Sequence, residues 1–224
     1  METFRFLTDN QLLHEQHFSS KTKTFADYGL HTDEVTLKRP PTPPANPQNP
    51  YEQPKVPDMI RVTSKHPEMR FVDTTFGYVN LFPFLLQIID AQHPTLGVIL
   101  TNLKDRELLW TDFGLRSLAK SSPLYLKRNT EHDPPYWRGQ IWININYLAL
   151  KSLHYYSRVN GPYADQAKEI YQDLRKNVVT NIIKQYRVSG YLWEQYNDQT
   201  GKGSGCYPFT GWTALFVAIM AEKY

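Results

Sequence analysis

The sequence contains a single cysteine, Cys206, so a disulfide bond within the chain is excluded. Clusters of basic residues are also missing. The 25 basic and 22 acidic residues give a net charge of +3, and like charges occur only in local pairs such as Lys38 and Arg39. A nucleic-acid-binding surface needs clustered lysine and arginine, so we expect no nucleic acid partner.

Long apolar runs and targeting signals are lacking as well. No stretch has the length and apolarity of a membrane-spanning helix, no signal peptide opens the chain, and no Asn-x-Ser/Thr glycosylation acceptor is present. We therefore expect no membrane contact from this chain itself. The phosphate-binding loop, the dinucleotide fingerprint and the nucleophile elbow are absent, so we expect no cofactor, and no obligate oligomer is implied.

What the chain does have is core-forming and aromatic residues. Hydrophobic residues make up 41% of its 224 positions, which is enough to bury a substantial core. Aromatic residues make up 14%, a share that either a large core or a carbohydrate site would produce. Residues 1–16 predict a helix with Phe4, Leu7 and Leu12 on one side, but no capping residue precedes it. We expect the chain to begin inside a longer domain.

Two kinds of helix alternate along the sequence. Some predicted helices are apolar on nearly all sides, which is typical of buried inner helices, and others have one polar face, which is typical of outer helices. This alternation favours an all-α fold, a partial (α/α)6 toroid; a plain helical bundle is the alternative. The expected inner helices are 78–90, with Pro83 kinking its interior, 140–156 and 212–222; the outer helices are 95–105 and 163–187; short extended segments are 34–37, 60–62 and 69–72.

Residues 39–58 hold eight of the sixteen prolines. Such a segment cannot form a helix or a central strand and tends to the polyproline II conformation. It would serve either as a ligand for an SH3-type module or as a surface insertion. We favour the insertion, and treat 1–224 as one domain portion.

The loop from Tyr191 to Trp212 is rich in glycine and aromatic residues, as a sugar-binding site requires. It carries one carboxylate, Glu194. A lone glutamate beside aromatic residues is more often a hydrogen-bond acceptor than a catalyst, and glycoside hydrolysis needs two carboxyl groups. In a ring of helices the long loop 109–138 would meet this loop at a central pocket.

Several residues of loop 109–138 are candidates for binding. Glu131, His132 and Asp133 resemble metal ligands, but three adjacent residues do not converge on one ion, so we expect no metal. A turn whose acids pair with Arg138 or Arg116 is the simpler interpretation; in a sugar site the same side chains would hold hydroxyl groups. The predicted substrate-binding residues are Arg116, Glu131, Asp133, Tyr136, Trp137, Arg138, Trp193 and Trp212.

Six segments carry a resemblance to a known family. They read EHDPPYWRGQIW at 131–142, NYLAL at 146–150, GYLWEQY at 190–196, GSGCYPFTGW at 203–212, FGYVNLFPFLL at 76–86 and FGLRSL at 113–118. Together they resemble the C-terminal catalytic domain of the processing α-glucosidases I (mannosyl-oligosaccharide glucosidases), glycoside hydrolase family 63. The resemblance covers nearly the whole chain, and only the proline-rich segment departs from it.

The resemblance implies an (α/α)6 toroid and an inverting hydrolase. Its members remove the outermost α-1,2-linked glucose from the N-linked oligosaccharide precursor (Glc3Man9GlcNAc2) in the endoplasmic reticulum lumen, and full-length members are membrane-anchored. The Glu of the WEQY motif is the family's general base, which assigns that role to Glu194.

The family's general acid lies in a Gly-x-Asp-Asp-like segment that does not occur in this chain. We therefore expect the chain to carry the base without the acid and to be inactive alone. Two other hypotheses stay open: a relative acting on another α-glucoside, and a non-catalytic or glycan-binding fragment.

Overall fold

The computed structural model describes residues 2–49 and 51–224; the expected place of the Phe4 side chain lies outside the described residues. Helices, including two 3-10 helices, hold 37% of the chain. None of the described helices is long and apolar enough to cross a membrane. The helices are α1 Glu2–Leu7, α2 Asn10–His17, α3 Phe82–Leu85, α4 Pro94–Lys104, α5 Ile143–Tyr156, α6 Ala164–Ser189 and α7 Leu215–Met220, and the 3-10 helices are Tyr78–Leu81 and Trp212–Ala214.

Short antiparallel ribbons accompany the helices, so the fold is not purely helical. Each ribbon in the described part of the chain has two strands. The pairs are β1 Phe18–Ser19 with β2 Thr24–Phe25, β3 Tyr28–His31 with β6 Glu68–Phe71, β4 Val35–Lys38 with β5 Ile60–Thr63, β7 Trp110–Thr111 with β8 Gly114–Leu115, and β9 Gln195–Tyr196 with β10 Gly203–Ser204.

The helices pack in two layers. Helices α3, α5 and α7 lie side by side, α4 packs on α6, and α6 covers α5 and α7. These contacts are consistent with the inner and outer helices that the alternating sequence pattern predicts. A helical glycosidase-type fold agrees with it, and the closed (α/α)6 ring stays a prediction.

The outer helices follow their sequence periodicity closely. In α4, Leu96, Ile99, Leu100 and Leu103 are all buried, which confirms the predicted face. In α6 the residues at spacings of three and four are buried, and Gly190 ends the helix in the left-handed conformation, where glycine is favoured. The buried apolar residues of α6 are Ala167, Ile170, Tyr171, Leu174, Val178 and Ile182.

The predicted inner helix over 78–90 is wrong in length and in burial. The chain forms a 3-10 turn and then the short α3, in which Pro83 occupies the first turn, where its missing N–H costs nothing. Helix α3 ends at Leu85, and Gln87 adopts a positive φ of 59°. Val79, Phe82 and Leu86 are exposed, so one side of this segment is uncovered among the described residues.

Three other predicted boundaries also change. The single N-terminal helix is broken, because Asp9 caps a second helix by accepting hydrogen bonds from the amides of Gln11 and Leu12. Helix α5 begins at Ile143, since Ile141 pairs with Tyr196 and Trp142 is extended. The last helix is reduced to a 3-10 turn and the short α7.

The proline-rich residues 39–49 and 51–58 form neither helix nor strand. They connect β4 to β5, two strands that pair with each other from Val35 opposite Thr63 to Lys38 opposite Ile60. Residues 41–49 are exposed throughout. The segment is therefore a long loop at the end of a hairpin, and its status as an insertion stays a prediction.

Candidate active site

The two loops expected to meet are joined through their backbones. Ile141 and Tyr196 exchange two hydrogen bonds, with N–O distances of 2.8 and 3.0 Å. On either side of this pair, Arg116 bridges to Ile141 and Gly203 pairs with Tyr196. The segment before α5 thus lies between the β7–β8 ribbon and the β9–β10 ribbon, and it fixes the loop that carries Glu194.

A buried asparagine organises the start of α5. Asn146 is fully buried; its Oδ1 accepts from the Leu115 amide at 2.7 Å, and its Nδ2 donates to the carbonyls of Trp142 and Leu115 and to the Tyr78 hydroxyl. Its position as an isolated polar residue in an apolar helix is the sequence signal that could have identified it. The network ties the 3-10 turn and β8 to the residue that supports the site, Trp142.

Trp142 is the buried member of an aromatic cluster that also contains Tyr136, Trp137 and Trp212. The Trp137 ring stacks on it with centroids 4.0 Å apart and an interplanar angle of 3°, and the Tyr136 ring meets it edge-on at 4.9 Å. Trp212 lies 5.7 Å from it on another side. Trp137 and Tyr136 remain 36% and 41% exposed, so each offers a surface to a ligand.

Glu194 lies against this cluster and is only 9% exposed. The Tyr136 hydroxyl donates to its Oε1 at 2.7 Å, and the Cys206 amide donates to its Oε2 at 3.0 Å. Its own amide donates to the Cys206 carbonyl. Both carboxylate oxygens are therefore held, and the structure brings together Glu194 and the predicted residue Tyr136.

These hydrogen bonds decide the charge of Glu194. Burial raises the pKa of its carboxyl, but the hydrogen bonds from the Cys206 amide, the Tyr136 hydroxyl and the Cys206 side chain outweigh burial and hold the pKa below its ordinary value. The same contact with Glu194 raises the pKa of Tyr136 to about 12. At neutral pH the pair is a carboxylate and a neutral phenol, as a proton acceptor and its donor partner should be.

The other two predicted tryptophans hold the backbone around Glu194. The Trp212 indole donates to the Glu194 carbonyl at 2.8 Å, and Thr213 donates through its hydroxyl to the Trp193 carbonyl at 2.7 Å. The Trp193 ring packs on Tyr207 at 4.2 Å. Trp193 and Trp212 thus lie next to Glu194 and make structural contacts there, and their role in binding substrate stays a prediction.

Glycine is required directly beside the carboxylate. Gly205 has a φ of +79°, in the left-handed region, and a Cβ at this position would lie 2.6 Å from Oε2 of Glu194. The next residue, Cys206, has an exposed free thiol. The backbone at Gly205 therefore lies so close to the Glu194 carboxylate that no side chain fits between them.

Arg116 lies apart from Glu194. It is 3% exposed; its Nε lies 3.0 Å from Oδ2 of Asp198, close enough for an ion pair but not aligned for a hydrogen bond, and its Nη1 donates to the carbonyls of Arg106 and Leu108. The Tyr125 hydroxyl also donates to Asp198. Arg116 and Asp198 form a buried link between the two loops, and sequence reasoning missed Asp198.

The remaining predicted residues do not hydrogen-bond to Glu194 within the described part of the chain. Glu131 binds Arg39, so the expected pairing with Arg138 or Arg116 is wrong; Arg138 donates instead to the Lys127 carbonyl, and Asp133 is exposed. The partner was missed because Arg39 is 92 residues from Glu131 in sequence.

One group of side chains has metal-ligand types. Ligand atoms of Asp58, Glu131 and His132 lie within 4.8 Å of one another. Both carboxylate oxygens of Glu131 already accept hydrogen bonds from the Arg39 guanidinium. Because the positively charged Arg39 guanidinium already binds these oxygens, the three side chains do not suit a metal ion.

Comparison with known proteins agrees with the resemblance. Residues 1–222 match the family model described as the glycosyl hydrolase family 63 C-terminal domain. The chain is 42% identical to the mannosyl-oligosaccharide glucosidase GCS1 of Arabidopsis thaliana, over 99% of this chain and 25% of the relative. It is 41% identical to Alpha-glucosidase 2 of the same organism, over 98% of this chain and 27% of the relative. The chain thus spans about a quarter of the length of these relatives.

Among solved structures, the GH63 mannosylglycerate hydrolase of Thermus thermophilus in complex with glucose aligns with 73% of this chain and 35% of its own chain. The TM-score is 0.46 and the sequence identity is 17%. The assignment rests instead on the family model and on the relatives above 40% identity. The chain belongs to glycosyl hydrolase family 63 and corresponds to the C-terminal domain of that family.

Proposed function

We propose that this chain supplies the general base, Glu194, of an inverting α-glucosidase. The observation that carries the proposal is the ionised Glu194 carboxylate, held by Tyr136 and Cys206 beside exposed aromatic surfaces. A carboxylate with a lowered pKa is suited to accept a proton and unsuited to donate one at neutral pH.

The reaction assigned to Glu194 is the activation of water. As the water oxygen bonds to the anomeric carbon, Glu194 takes the water proton, and the glycosidic bond breaks with its electron pair going to the leaving oxygen. A second carboxylic acid, roughly 6.5 to 9.5 Å away in inverting enzymes, protonates that oxygen. The Gly-x-Asp-Asp-like segment expected to carry that acid does not occur in this chain, which supports a base without its acid.

The proposed substrate is the terminal α-1,2-linked glucose of the triglucosylated N-glycan precursor, and the proposed location is the lumen of the endoplasmic reticulum. Relatives named mannosyl-oligosaccharide glucosidases support this substrate class. The exposed faces of Tyr136 and Trp137 would lie against the sugar ring, since apolar ring faces pack well on aromatic side chains. Arg116 is buried and paired with Asp198, so we leave it out of the proposed sugar contacts.

Two alternatives follow from particular observations. The similarity to Alpha-glucosidase 2 of Arabidopsis thaliana favours no single glycan, so another α-glucoside is an alternative substrate. The absence of a Gly-x-Asp-Asp-like acid segment from this chain favours a chain that binds glycan without hydrolysing it. A panel of α-glucosides, tested for binding and for turnover, distinguishes the three.

The deciding experiment substitutes Glu194 by Gln. For turnover we would use a chimera in which this chain replaces the matched segment of GCS1, and for binding the 224-residue chain itself. We expect Glu194→Gln to reduce hydrolysis of the triglucosylated glycan by roughly 100-fold or more while binding is largely kept. Turnover near that of the parent chimera would remove Glu194 from the role, and absence of glycan binding by the parent chain would contradict the proposed site.

The chain alone provides a second test. Without a general acid it should bind the glycan and release glucose at least roughly 100-fold more slowly than the parent chimera. Comparable rates for the chain and the chimera would contradict the assignment of a base without its acid.

A further inference from the structure

The hairpin that carries the proline-rich loop is joined to the loop that carries Tyr136. Residues 128–131 run antiparallel to β5: the Arg61 amide donates to the Asn129 carbonyl at 3.2 Å, and the Glu131 amide donates to the Met59 carbonyl at 3.1 Å. Ile60 and Thr130 form the bridge between these bonds. Residues 128–131, which belong to the loop 109–138 that carries Tyr136, therefore add a short third strand-like segment beside β5.

Arg39 fastens this junction. Its Nη2 lies 2.9 and 2.7 Å from the two carboxylate oxygens of Glu131, and its Nη1 donates to the Pro57 carbonyl at 2.6 Å. The Met59 amide donates to Glu131 as well. Exposed ion pairs contribute little by themselves, but a guanidinium that holds both oxygens and a carbonyl fixes one geometry. Arg39 thus joins the two ends of the proline-rich loop through the Pro57 carbonyl. Through Glu131 it also binds the loop 109–138 that carries Tyr136.

The chain between Glu131 and Tyr136 is short and stiff. The Asp133 amide donates to the Thr130 hydroxyl at 3.2 Å. Pro134 and Pro135 then fix two consecutive φ angles, and the Gln140 side chain donates to the Pro135 carbonyl at 2.9 Å. A displacement of Glu131 is consequently transmitted to Tyr136, with few freely rotating bonds to absorb it.

We propose that Arg39 is a positioning residue: through Glu131 it sets Tyr136 at hydrogen-bonding distance from Glu194. Of the two partners, Glu131 belongs to a motif that carries the family resemblance, the segment 131–142. Arg39 lies outside these motifs. Its consequence for hydrolysis rests on the proposed function, whereas its effect on the Glu194 carboxyl does not.

The test measures the titration of Glu194 in the 224-residue chain by carbon-13 NMR of labelled glutamate carboxyls, with Glu194→Gln to assign the signal. The titratable groups that face Glu194 are Tyr136 and Cys206. We expect Arg39→Ala to move the pKa of Glu194 upward toward its ordinary value and to weaken glycan binding by roughly threefold to tenfold. Arg39→Lys, which keeps the charge but loses the fork, should give an intermediate shift.

Two further variants separate positioning from general structural damage. The exchange Arg39→Glu with Glu131→Arg should restore part of the titration, because it restores the ion pair but not the hydrogen bonds with the Pro57 carbonyl and the Met59 amide. Lys65→Ala breaks the ion pair with Glu34 in the same hairpin and should leave Glu194 unchanged. An unchanged Glu194 titration in both Arg39 variants, or an equal shift in Lys65→Ala, would overturn the inference.

The titration also distinguishes this inference from the proposed function. If the parent chain binds no glycan but Arg39→Ala still shifts the Glu194 pKa, the proposed function fails and the positioning role stands. If the glycan binds and the titration is insensitive to Arg39, the positioning role fails alone.

Discussion

The Tyr136 hydroxyl donates a 2.7 Å hydrogen bond to Glu194, which follows it by 58 residues. This contact joins the two loops of the site at the reacting group. It also makes Tyr136 more than a sugar platform, because the carboxylate depends on it for part of its charge stabilisation.

Tyr136→Phe should raise the pKa of Glu194. A hydrogen bond to a charged group contributes about 1.5 to 3 kcal/mol, and its loss favours the protonated carboxyl. Because the base must be ionised, activity is present above the pKa of Glu194 and is lost as pH falls through it. The acid limb of the pH–rate profile of the GCS1 chimera should therefore move to higher pH.

Tyr207→Phe is the matched control for this change. Tyr207 packs on Trp193, and within the described residues its hydroxyl makes no hydrogen bond. Removing the Tyr207 hydroxyl should leave the acid limb of the pH–rate profile unchanged. Identical profiles for Tyr136→Phe and the parent would contradict the role of the hydroxyl.

Gly205→Ala should both strain the loop and displace the Glu194 carboxylate. The left-handed conformation costs a residue with a Cβ about 1 to 2 kcal/mol, and the new methyl would lie 2.6 Å from Oε2. We expect a loss of stability in urea unfolding together with a loss of glycan hydrolysis by the chimera.

Gly190→Ala separates these two effects. Gly190 has a similar φ of +76°, but a Cβ there meets nothing within 4 Å. It should therefore lose stability to a similar extent and keep its activity. Full activity of Gly205→Ala would show that the carboxylate accommodates the methyl group.

Asn146→Ala should be among the more damaging core changes. It removes four hydrogen-bonding contacts and leaves buried groups such as the Leu115 amide without a partner, at about 1 to 3 kcal/mol for each unsatisfied group. Asn144→Ala is the control, since within the described part of the chain the Asn144 side chain accepts only from the adjacent Ile145 amide. Equal free energies of unfolding for the two variants would refute the network's importance.

Replacing residues 42–55 by a flexible Gly-Ser linker of equal length should change little. The replacement leaves Arg39 and Pro57 in place, and the affected residues are largely exposed. Because a linker of equal length keeps the length-dependent part of the closure entropy, we expect stability within about 1 kcal/mol of the parent and unchanged glycan binding. Loss of glycan binding would show that the exposed loop contacts the substrate directly.

The sequence predicted those parts of the fold in which one period governs the local structure. The apolar positions of α4 and α6 repeat at helical spacing, and both helices lie where expected. The prediction of one helix over 78–90 was wrong because an apolar composition alone does not distinguish a long helix from a 3-10 turn followed by one helical turn. Pro83 is compatible with the first turn of a helix as well as with a kink.

The site was predictable to the extent that it lies in consecutive motifs. Glu194, Tyr136 and the tryptophans near them were identified and lie together. The partners of Arg116 and Glu131 were not, because Asp198 and Arg39 are 82 and 92 residues away in sequence and only the fold brings them into contact. Charge alone indicated that these side chains needed partners, without indicating which.

The paired hydrogen bonds between Ile141 and Tyr196 have a consequence for the order of folding. Closing contacts between distant residues costs chain entropy before it brings any stabilisation, so local helices form first. Helices α5 and α6 lie between the two residues in sequence, and their packing brings the two residues close together. The surroundings of Glu194 should therefore be completed late, and the amides of Ile141 and Tyr196 should gain protection from hydrogen exchange after those of α6.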